Sequence, residues 1–458
     1  MINAAIVGLG WWGQNHVTAS EGSDRIRFTR AVDLVPENVK GFCETHELTL
    51  TAHLDDAFND PNIDAVVLVT PHSQHADQIV AGAAAGKHVL TEKPFALKKA
   101  DGLRAIKAMK DAGLTLAEVD GIITCNAFAE PIMYHAEAVA EYIGWQPRHC
   151  VTANTGGGTT FMALNMAAAA IEAGMADTIV VAMADSLRSF MTREQAMVVQ
   201  SSSGHPHYEQ PYGPTVPAYY ALIARAHMDE FGTTGEQFAE AAVSCRAWAS
   251  RHPKAQMRDP ISVEDVMNSR AIADPLKVLD CSLVSDGGAA VVITRQDRAK
   301  DGPHKPVTLL GYGEGHAYEH ISQAKNLTTS AALQSGRAAY AEAGLAPADI
   351  DLLQLYDCFT PALLIQIEDL GFCDKGEGGD WLASGISRPG GSKPLNTHGG
   401  MLSYCHPGNP GAMFGLTEAM TQMRGDAGKR QIDGVSTALC HAQGGIMSSH
   451  ATVILGVD

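Results

Sequence analysis

Two stretches of the sequence, KAMKDAGLTLAEVDGIITCNAF (107–128) and AAYAEAGLAPADIDLLQLYDCF (338–359), follow the same pattern. Each predicts a helix that stops at Ala-Gly-Leu, then an acidic turn, then an apolar strand. The copies begin at residues 107 and 338, 231 residues apart, whereas solenoid repeats recur every roughly 20–50 residues. The repeat therefore indicates two similar α/β halves that face each other.

Composition excludes several classes of protein. The 458 residues are 45% apolar and carry a formal net charge of −18. This apolar fraction can build a folded core, and at roughly 150 residues per domain the length predicts two or three domains. The negative charge argues against a nucleic-acid backbone or an anionic membrane as partner. The most apolar stretch, 161–184, contains Asn165, Glu172 and Asp177, which predicts a buried helix and strand, with no membrane span.

Nine cysteines are spread singly, and none forms a C-x-x-C pair. This spacing predicts neither a zinc site nor a dithiol redox site, so no metal is expected. An odd number of unpaired cysteines is typical of a reducing compartment, and the start MINAAIVGLGWWG has no basic leader. We therefore expect a cytoplasmic protein.

The first hundred residues alternate strand and helix patterns, which is typical of βαβ units in a parallel sheet. Strands are predicted at 4–10, 27–34, 63–70 and 87–94, and a helix at 75–86.

A G-x-G-x-x-G loop, Gly8 to Gly13, follows the first predicted strand. Gly8 permits the tight turn, Gly10 lets a pyrophosphate approach the backbone, and Gly13 lets the next helix pack on the strand. Asp33, at the end of the second strand, would bind a ribose 2′-hydroxyl and repel a 2′-phosphate, which favours NAD over NADP. The alternative is a glycine-rich turn in a fold that has lost its ligand.

The stretches AAIVGLGWWGQNH (4–16) and AVVLVTPHSQHADQIVAGAAAGKHVLTEKPFAL (65–97) resemble the N-terminal domain of the Gfo/Idh/MocA family of NAD(P)-dependent oxidoreductases. Glu92-Lys93-Pro94 matches the E-K-P motif of that family, which implies that Lys93 lies near the nicotinamide. Lys93 could equally be a solvated lysine after a strand. The substrate domain of the family is not recognisable after residue 114, so a proton donor for hydride transfer is missing.

Three clusters in the rest of the chain place ionisable side chains beside glycines, at or near the ends of apolar strands. They are Tyr356-Asp357-Cys358-Phe359, then His398-Gly399-Gly400 with Cys405-His406-Pro407-Gly408, and Cys440-His441-Ala442-Gln443-Gly444-Gly445. Cysteine and histidine could serve as nucleophile and base. The alternative is that these cysteines are small buried apolar residues.

Residues 105–458 resemble the thiolase family, more closely its sterol-carrier-protein-type branch. The resemblance is carried by PRHCVTANTGGGTTFMALNMAAAAIEAGMADTIVV (147–181), PLKVLDCSLVSDGGAAVVI (275–293), LLQLYDCFTPA (352–362), HGGMLSYCHPGNPGA (398–412) and STALCHAQGGIMSSHATVIL (436–455). It implies that His406 polarises a thioester carbonyl or abstracts a proton. It also implies an acid/base near the C-terminus, matched by Cys440 or His441, between which spacing does not decide.

Two departures from the family bear on the chemistry. Thiolases carry a nucleophilic cysteine at the start of a buried helix, where this chain has Gly157 and no cysteine nearby. Covalent acyl-enzyme chemistry is therefore not expected. Tyr356 stands where the sterol-carrier branch has histidine, which resembles the thiolase-like aldolases of steroid side-chain degradation.

That resemblance implies retro-aldol cleavage of a β-hydroxyacyl-CoA, with Tyr356 taking the hydroxyl proton while His406 and strand-end groups stabilise the enolate. It also implies a homodimer and a small partner similar to an OB-fold, zinc-ribbon acyl-CoA-binding protein. Alternatively, Tyr356 is a buried aromatic residue whose hydroxyl merely finds a hydrogen bond.

The expected fold is α/β: a truncated Rossmann-like domain (1–100) joined to a thiolase-like α/β/α/β/α body of two halves, about 101–300 and 301–458. The first half lacks the strand with which thiolase halves begin. HVLTEK (88–93) is either a strand of the Rossmann-like sheet or a substitute for that missing strand. The leading expectation is an enzyme acting on acyl-CoA. The alternatives are an NAD-dependent oxidoreductase and a catalytically silent acyl-CoA- or lipid-binding protein.

Overall fold

The computed structural model describes residues 1–70, 78, 81–82, 85–91, 116–129, 131–192, 195, 198–199 and 202–457. The chain divides into two units, Met1–Lys99 and Ala100–Asp458, and each is described by itself. Across the described residues, no helix combines the length and the apolar character needed to cross a membrane.

The first unit is built on five parallel strands in the order β3-β2-β1-β4-β5. The strands are β1 (Ile2–Val7), β2 (Ile26–Val32), β3 (Thr49–Thr51), β4 (Ala65–Leu68) and β5 (His88–Thr91). Helices among the described residues of this unit are α1 (Trp11–Ala19), α2 (Lys40–Thr45) and α3 (Asp55–Phe58). The predicted parallel sheet is confirmed. β3 was not predicted because three partly exposed residues carry too little alternation to be recognised.

The central strand β1 is buried on both faces, as a strand between helix layers must be. Ala4 and Ile6 enter the apolar cluster on one face, and Ala5 and Val7 enter the cluster on the other. This continuous apolar run explains why the sequence predicts a parallel sheet.

The segment 88–91 forms β5 and pairs in parallel with β4, so these four residues belong to the sheet of the first unit. Of the two roles considered for HVLTEK, the structure shows the first. Residues 92–115, which include Lys93, lie outside the described part of the chain, and so does most of the helix predicted at 75–86.

The second unit contains two sheets and the helices around them. Its strands are β6 (Gly121–Cys125), β7 (His149–Ala153), β8 (Thr178–Ser186), β9 (Ala271–Ala273), β10 (Leu276–Lys277), β11 (Asp286–Thr294), β12 (Thr308–His316), β13 (Leu352–Gln354), β14 (Thr437–Gly444) and β15 (Ser449–Gly456). Its helices are α4 (His135–Tyr142), α5 (Thr159–Glu172), α6 (Leu187–Phe190), α7 (Val216–Phe231), α8 (Gly235–Ala249), α9 (Val263–Asn268), α10 (Gln296–Ala299), α11 (Ala332–Ala343), α12 (Thr360–Asp369), α13 (Gly378–Ala383), α14 (Gly400–Ser403) and α15 (Gly411–Arg424).

The two sheets have related topologies, β11-β8-β6-β7 in the first half and β12-β15-β14-β13 in the second. In the first half, β6 of the sequence repeat pairs in parallel with β8, and β8 pairs antiparallel with β11. In the second half, β13 of the repeat pairs in parallel with β14, and β14 pairs antiparallel with β15. In the second half β12 adds to the outer edge of β15. In the part of the chain that the structure describes, β11 has no equivalent neighbour, in agreement with the missing first strand.

The second unit is layered. The long helices α5 and α15 contact both sheets and form the central layer, α4 packs on β6 and β7, and α11 packs on β12 and β15. Helix α11 and strand β12 approach each other closely because β12 contains glycines on the side that faces the helix. A Cβ at Gly311 of β12 would lie 2.9 Å from the Cβ of Ala343 in α11. The predicted α/β/α/β/α arrangement is confirmed.

Candidate active site

Tyr356 and His406, predicted separately from two motifs, lie in contact. Tyr356 stands between β13 and α12, and His406 lies in the turn between α14 and α15. The Tyr356 hydroxyl is 3.1 Å from His406 Nε2, and the two rings meet edge to face. A phenol and an imidazole at hydrogen-bond distance can exchange a proton, which is the first requirement for general acid–base chemistry.

A serine that the sequence analysis did not single out completes this arrangement. Ser282 Oγ lies 2.8 Å from His406 Nδ1, on the opposite side of the imidazole from Tyr356. Ser285 fixes the backbone of the same histidine: its hydroxyl accepts from His406 N–H, and its own N–H donates to His406 O. His406 is therefore held at both ring nitrogens and at the main chain.

Burial keeps both members of the pair neutral at pH 7. Loss of solvent lowers the pKa of His406 to about 4. Burial, followed by the neighbouring Cys358 and Asp357, holds the pKa of Tyr356 well above its usual value of 10. Because the phenol keeps its proton, it donates to Nε2. The imidazole proton then lies on Nδ1 and donates to Ser282.

Gly157 lies against the hydroxyl end of Tyr356, at the turn that leads into α5. A Cβ at this position would overlap the Tyr356 hydroxyl, and it would lie 2.5 Å from Tyr356 Cζ and 2.5 Å from the carbonyl oxygen of Gln443. A cysteine side chain at position 157 is therefore incompatible with the observed place of Tyr356. The tyrosine hydroxyl occupies the space in which a side chain of residue 157 would stand.

Asp357, the neighbour of Tyr356, supports the loop that carries His406. Its carboxylate accepts from the N–H groups of Met401 (2.8 Å) and Leu402 (3.2 Å) in the first turn of α14. Burial raises its pKa to about 6, although these bonds act in the other direction. Both carboxylate oxygens face the protein, so Asp357 positions α14 and the turn after it.

The structure distinguishes the two C-terminal candidates on β14. Successive residues of a strand face opposite sides, so Cys440 and His441 cannot both face the tyrosine. His441 and Tyr356 line the same cavity of about 10 Å³, roughly the room of one water molecule. His441 Nδ1 lies 2.8 Å from Thr452 Oγ1, and its Nε2 lies 3.0 Å from His450 Nδ1. Cys440 is fully buried, and burial raises the pKa of its thiol.

The end of β14 is also tied to the tyrosine motif. The amide of Gln443 donates to the Tyr220 hydroxyl (3.0 Å) and to Cys358 Sγ (3.2 Å). Tyr220 stacks on Phe359 with ring centroids 4.3 Å apart. Sequence reasoning named Gln443 only as part of the Cys440–Gly445 cluster, and it missed Tyr220, which forms no motif with the residues that it contacts.

The loop after His406 reaches across to the first half of the body. Asn409 Nδ2 donates to the carbonyl oxygen of Asn126, just after β6, and approaches Asn154 Oδ1 at 3.4 Å. The candidate active site therefore lies where the strand ends of the two halves meet.

In the first unit, the glycine loop has the shape that its sequence predicts. Gly8 has φ +92°, and a Cβ there would lie 2.6 Å from the carbonyl oxygen of Val69. A Cβ at Gly13 would overlap the carbonyl of Gly8, whereas a Cβ at Gly10 would stand in open space. Asp33 accepts from the N–H groups of Leu9 (2.9 Å) and Val35 (3.0 Å).

These residues fit the pyrophosphate and ribose of a dinucleotide, because Gly10 leaves room at the start of α1 and the Asp33 oxygens keep free lone pairs. The loop geometry is thus that of a phosphate cradle. Within the described ranges, no group of three or more His, Cys, Asp or Glu side chains could hold a metal ion.

Each of the two units matches a known protein family. Residues 313–457 match the thiolase C-terminal domain-like family, and residues 2–119 match the oxidoreductase family with an NAD-binding Rossmann fold. An acetyl-CoA acetyltransferase of Methanothermobacter thermautotrophicus is 33% identical over 342 residues, which are 74% of this chain and 88% of that protein. The chain belongs to the thiolase family.

Two thiolase-family relatives are aldolases by name. A steroid side-chain-cleaving aldolase of Thermomonospora curvata is 35% identical over 367 residues, 77% of this chain and 91% of that protein. The solved structure named Ltp2-ChsH2(DUF35) aldolase aligns with a TM-score of 0.69 and 34% identity, over 78% of this chain and 93% of that one. The thiolase-like body thus accounts for about three quarters of the chain, and the first unit is an addition to it.

Proposed function

We propose that the thiolase-like body makes or breaks a C–C bond of a β-hydroxyacyl-CoA without an acyl-enzyme intermediate. The observation that carries this proposal is the contact of Tyr356 with His406, in the space that Gly157 leaves. The names of the two aldolase relatives support it. The relative named as an acetyl-CoA acetyltransferase supports the CoA thioester as substrate.

In the cleavage direction, the substrate β-hydroxyl gives its proton to the Tyr356 oxygen while Tyr356 gives its own proton to His406 Nε2. The Cα–Cβ bond then breaks. Its electron pair moves to the thioester as an enolate, and the β-carbon becomes the carbonyl carbon of a ketone or aldehyde. A neutral His406 is the form that can accept this proton, and the Ser282 hydroxyl stabilises the imidazolium that results.

The same proton completes the reaction. His406 returns it through Tyr356 to the α-carbon of the enolate, which yields a shortened acyl-CoA and leaves the protein unchanged. His441 lines the cavity beside Tyr356, and we assign it to the thioester side of the site. Cys440 is assigned no step, because it faces away from His441 on the strand.

The test is turnover of 3-hydroxy-3-methylbutyryl-CoA, a probe with a tertiary β-hydroxyl, to acetone and acetyl-CoA. We expect Tyr356→Phe and His406→Gln to lower turnover by about 100-fold or more, since each removes a general acid–base group. Tyr340→Phe is the matched control, because its hydroxyl only donates to the carbonyl of Leu370. Turnover that is unchanged in both site variants contradicts the assignment.

We also propose that the chain forms complexes, both with a second protein and with another copy of itself. The name of the aligned aldolase carries a second designation, ChsH2(DUF35), which supports a heteromeric partner. The family resemblance implies that this partner is a small acyl-CoA-binding protein with an OB-fold and a zinc ribbon. We also propose a homodimer of this chain, as expected from the family. Light scattering of the purified chain tests the dimer, and a mass of one chain contradicts it.

A second candidate function, NAD binding, rests on the first unit. When bound, a nicotinamide cofactor supplies hydride transfer, and Gly8, Gly10, Gly13 and Asp33 would hold its pyrophosphate and ribose. Lys93 would lie near the nicotinamide, by resemblance alone. We propose that the unit binds NAD in preference to NADP, because the Asp33 carboxylate repels a 2′-phosphate.

Thermal shift with NAD, NADP and CoA tests this second candidate, because a ligand of the native state raises the midpoint. Gly10→Val fills the open space of the cradle and should abolish the NAD shift. Gly41→Ala, also in open space, is the control and should retain it. A shift with CoA alone would mean that the glycine loop has lost its ligand.

A further inference from the structure

A cavity of about 290 Å³ lies in the second unit, beside α15, and differs in character from the small cavity at Tyr356. The residues that decide its chemistry are His252, Lys254, His398, Tyr404, Glu418 and Arg430. His398 also lines the small cavity that Tyr356 lines. The larger cavity thus adjoins the candidate active site through one histidine.

The single carboxylate among the described lining residues is already engaged. Glu418 is 4% exposed and accepts from Arg430 Nε (3.1 Å) and Arg430 Nη2 (2.8 Å). It also accepts from Thr397 Oγ1 and from Gln422 Nε2. Burial alone would raise its pKa, but the bonds and charge of Arg430 and its other partners lower it. The carboxylate is therefore ionised and neutralised within the wall.

The remaining charged groups of the cavity are both cations, and its hydroxyls, on Tyr404, Thr417 and Thr421, can donate or accept. Arg430 keeps its third nitrogen, Nη1, outside the pair with Glu418, and Lys254 is an exposed ammonium. The backbone N–H of Lys254 donates to His252 Nδ1 (3.0 Å), so the proton of this imidazole lies on Nε2. Two cations and one carboxylate leave the lining with a net positive charge.

His398 is the most informative residue of the cavity. It is 5% exposed, and its Nδ1 is buried without a hydrogen-bond partner. A buried polar atom without a partner costs free energy, so a native structure retains one mainly where a ligand or water completes it. His398 lines both cavities, and because the larger cavity has a net positive charge, a ligand that reaches His398 from that cavity is rich in acceptors.

We propose that this cavity binds a small oxyanion, a carboxylate or a phosphate group, between Lys254, Arg430 and His398. His398 donates from Nδ1 in this complex, and Lys254 and Arg430 supply the charge. The proposal does not depend on the proposed C–C chemistry, although His398 lines both cavities. Because Lys254 is exposed, the affinity falls as ionic strength rises.

The proposal is tested by calorimetric titration of the full chain with inorganic phosphate and, separately, with succinate. We expect one saturable site, and binding about tenfold weaker or worse in Lys254→Met and in His398→Phe, each of which removes a donor to the anion. Lys429→Met removes an equal charge from an exposed residue outside the cavity and should bind as the natural chain does.

Saturation by either probe supports an oxyanion site, and the probe that binds identifies the source as phosphate or carboxylate. Absence of saturable binding with both overturns the proposal, as does equal affinity in Lys254→Met and the natural chain. Lys254 is exposed, so its variant keeps the test decisive even where His398→Phe does not fold.

Discussion

Gly157→Ala tests the relation between the glycine and the tyrosine with a single methyl group. The added carbon would lie 2.5 Å from Tyr356 Cζ, whereas ordinary contact begins at 3.4 Å. The ring must therefore move by about 0.9 Å, since the other close neighbour is the backbone oxygen of Gln443. A misplacement of about 1 Å in a reacting group can cost roughly 100-fold in rate. We expect a loss of that size in kcat.

Gly158→Ala is the matched control for this experiment. A Cβ at Gly158 would meet nothing closer than 3.5 Å, so the same change one residue later leaves Tyr356 in place. The assay is release of acetone from 3-hydroxy-3-methylbutyryl-CoA, with the thermal midpoint of each variant as a check on folding. Equal kcat in the two variants would refute the argument that Gly157 makes room for Tyr356.

Two further predictions concern protons. Ser282→Ala removes the hydrogen bond to His406 Nδ1 and should lower kcat by about tenfold; unchanged kcat across a pH series would contradict the role given to this serine. Stability should fall as the pH drops from 6.5 towards 4, because the folded chain resists protonation of buried histidines that the unfolded chain protonates. Each contributes at most about 1.4 kcal/mol per pH unit, and Asp357, whose pKa is raised to about 6, opposes them. A urea midpoint that does not change between pH 7 and pH 5 would contradict this. The histidines whose pKa is lowered to about 4 are His252, His398, His406 and His450.

The sequence predicts the layers of this protein because each rests on local patterns. The apolar run of β1 and the repeat that contains β6 and β13 are visible without a structure. The sheet of the first unit follows from the first, and the two four-stranded sheets of the second unit follow from the second. The three residues of β3 are too few to show a pattern. The segment 88–91 could have joined either sheet, because strand pairing depends on hydrogen bonds that the sequence does not display.

The candidate active site is predictable residue by residue but not as an arrangement. Motifs indicate Tyr356 and His406, yet their contact joins positions 50 residues apart and depends on how α14 and the turn after it are held. Ser282 lies in the stretch 275–293 that carries the thiolase resemblance, but a single serine in a loop is too common to stand out there as a functional residue. Spacing could not separate Cys440 from His441, and which of them lines the cavity beside Tyr356 is visible only in the structure, where it is His441.

The measurement that tests the central claim most directly is the intact mass of the protein during turnover. The chain is mixed with 3-hydroxy-3-methylbutyryl-CoA, quenched at intervals, and analysed for protein mass, acetone and acetyl-CoA. We predict that acetone and acetyl-CoA appear in equal amounts while the protein mass stays that of the free chain. An acyl adduct on the protein, or consumption of the probe without acetone, would contradict cleavage by Tyr356 and His406.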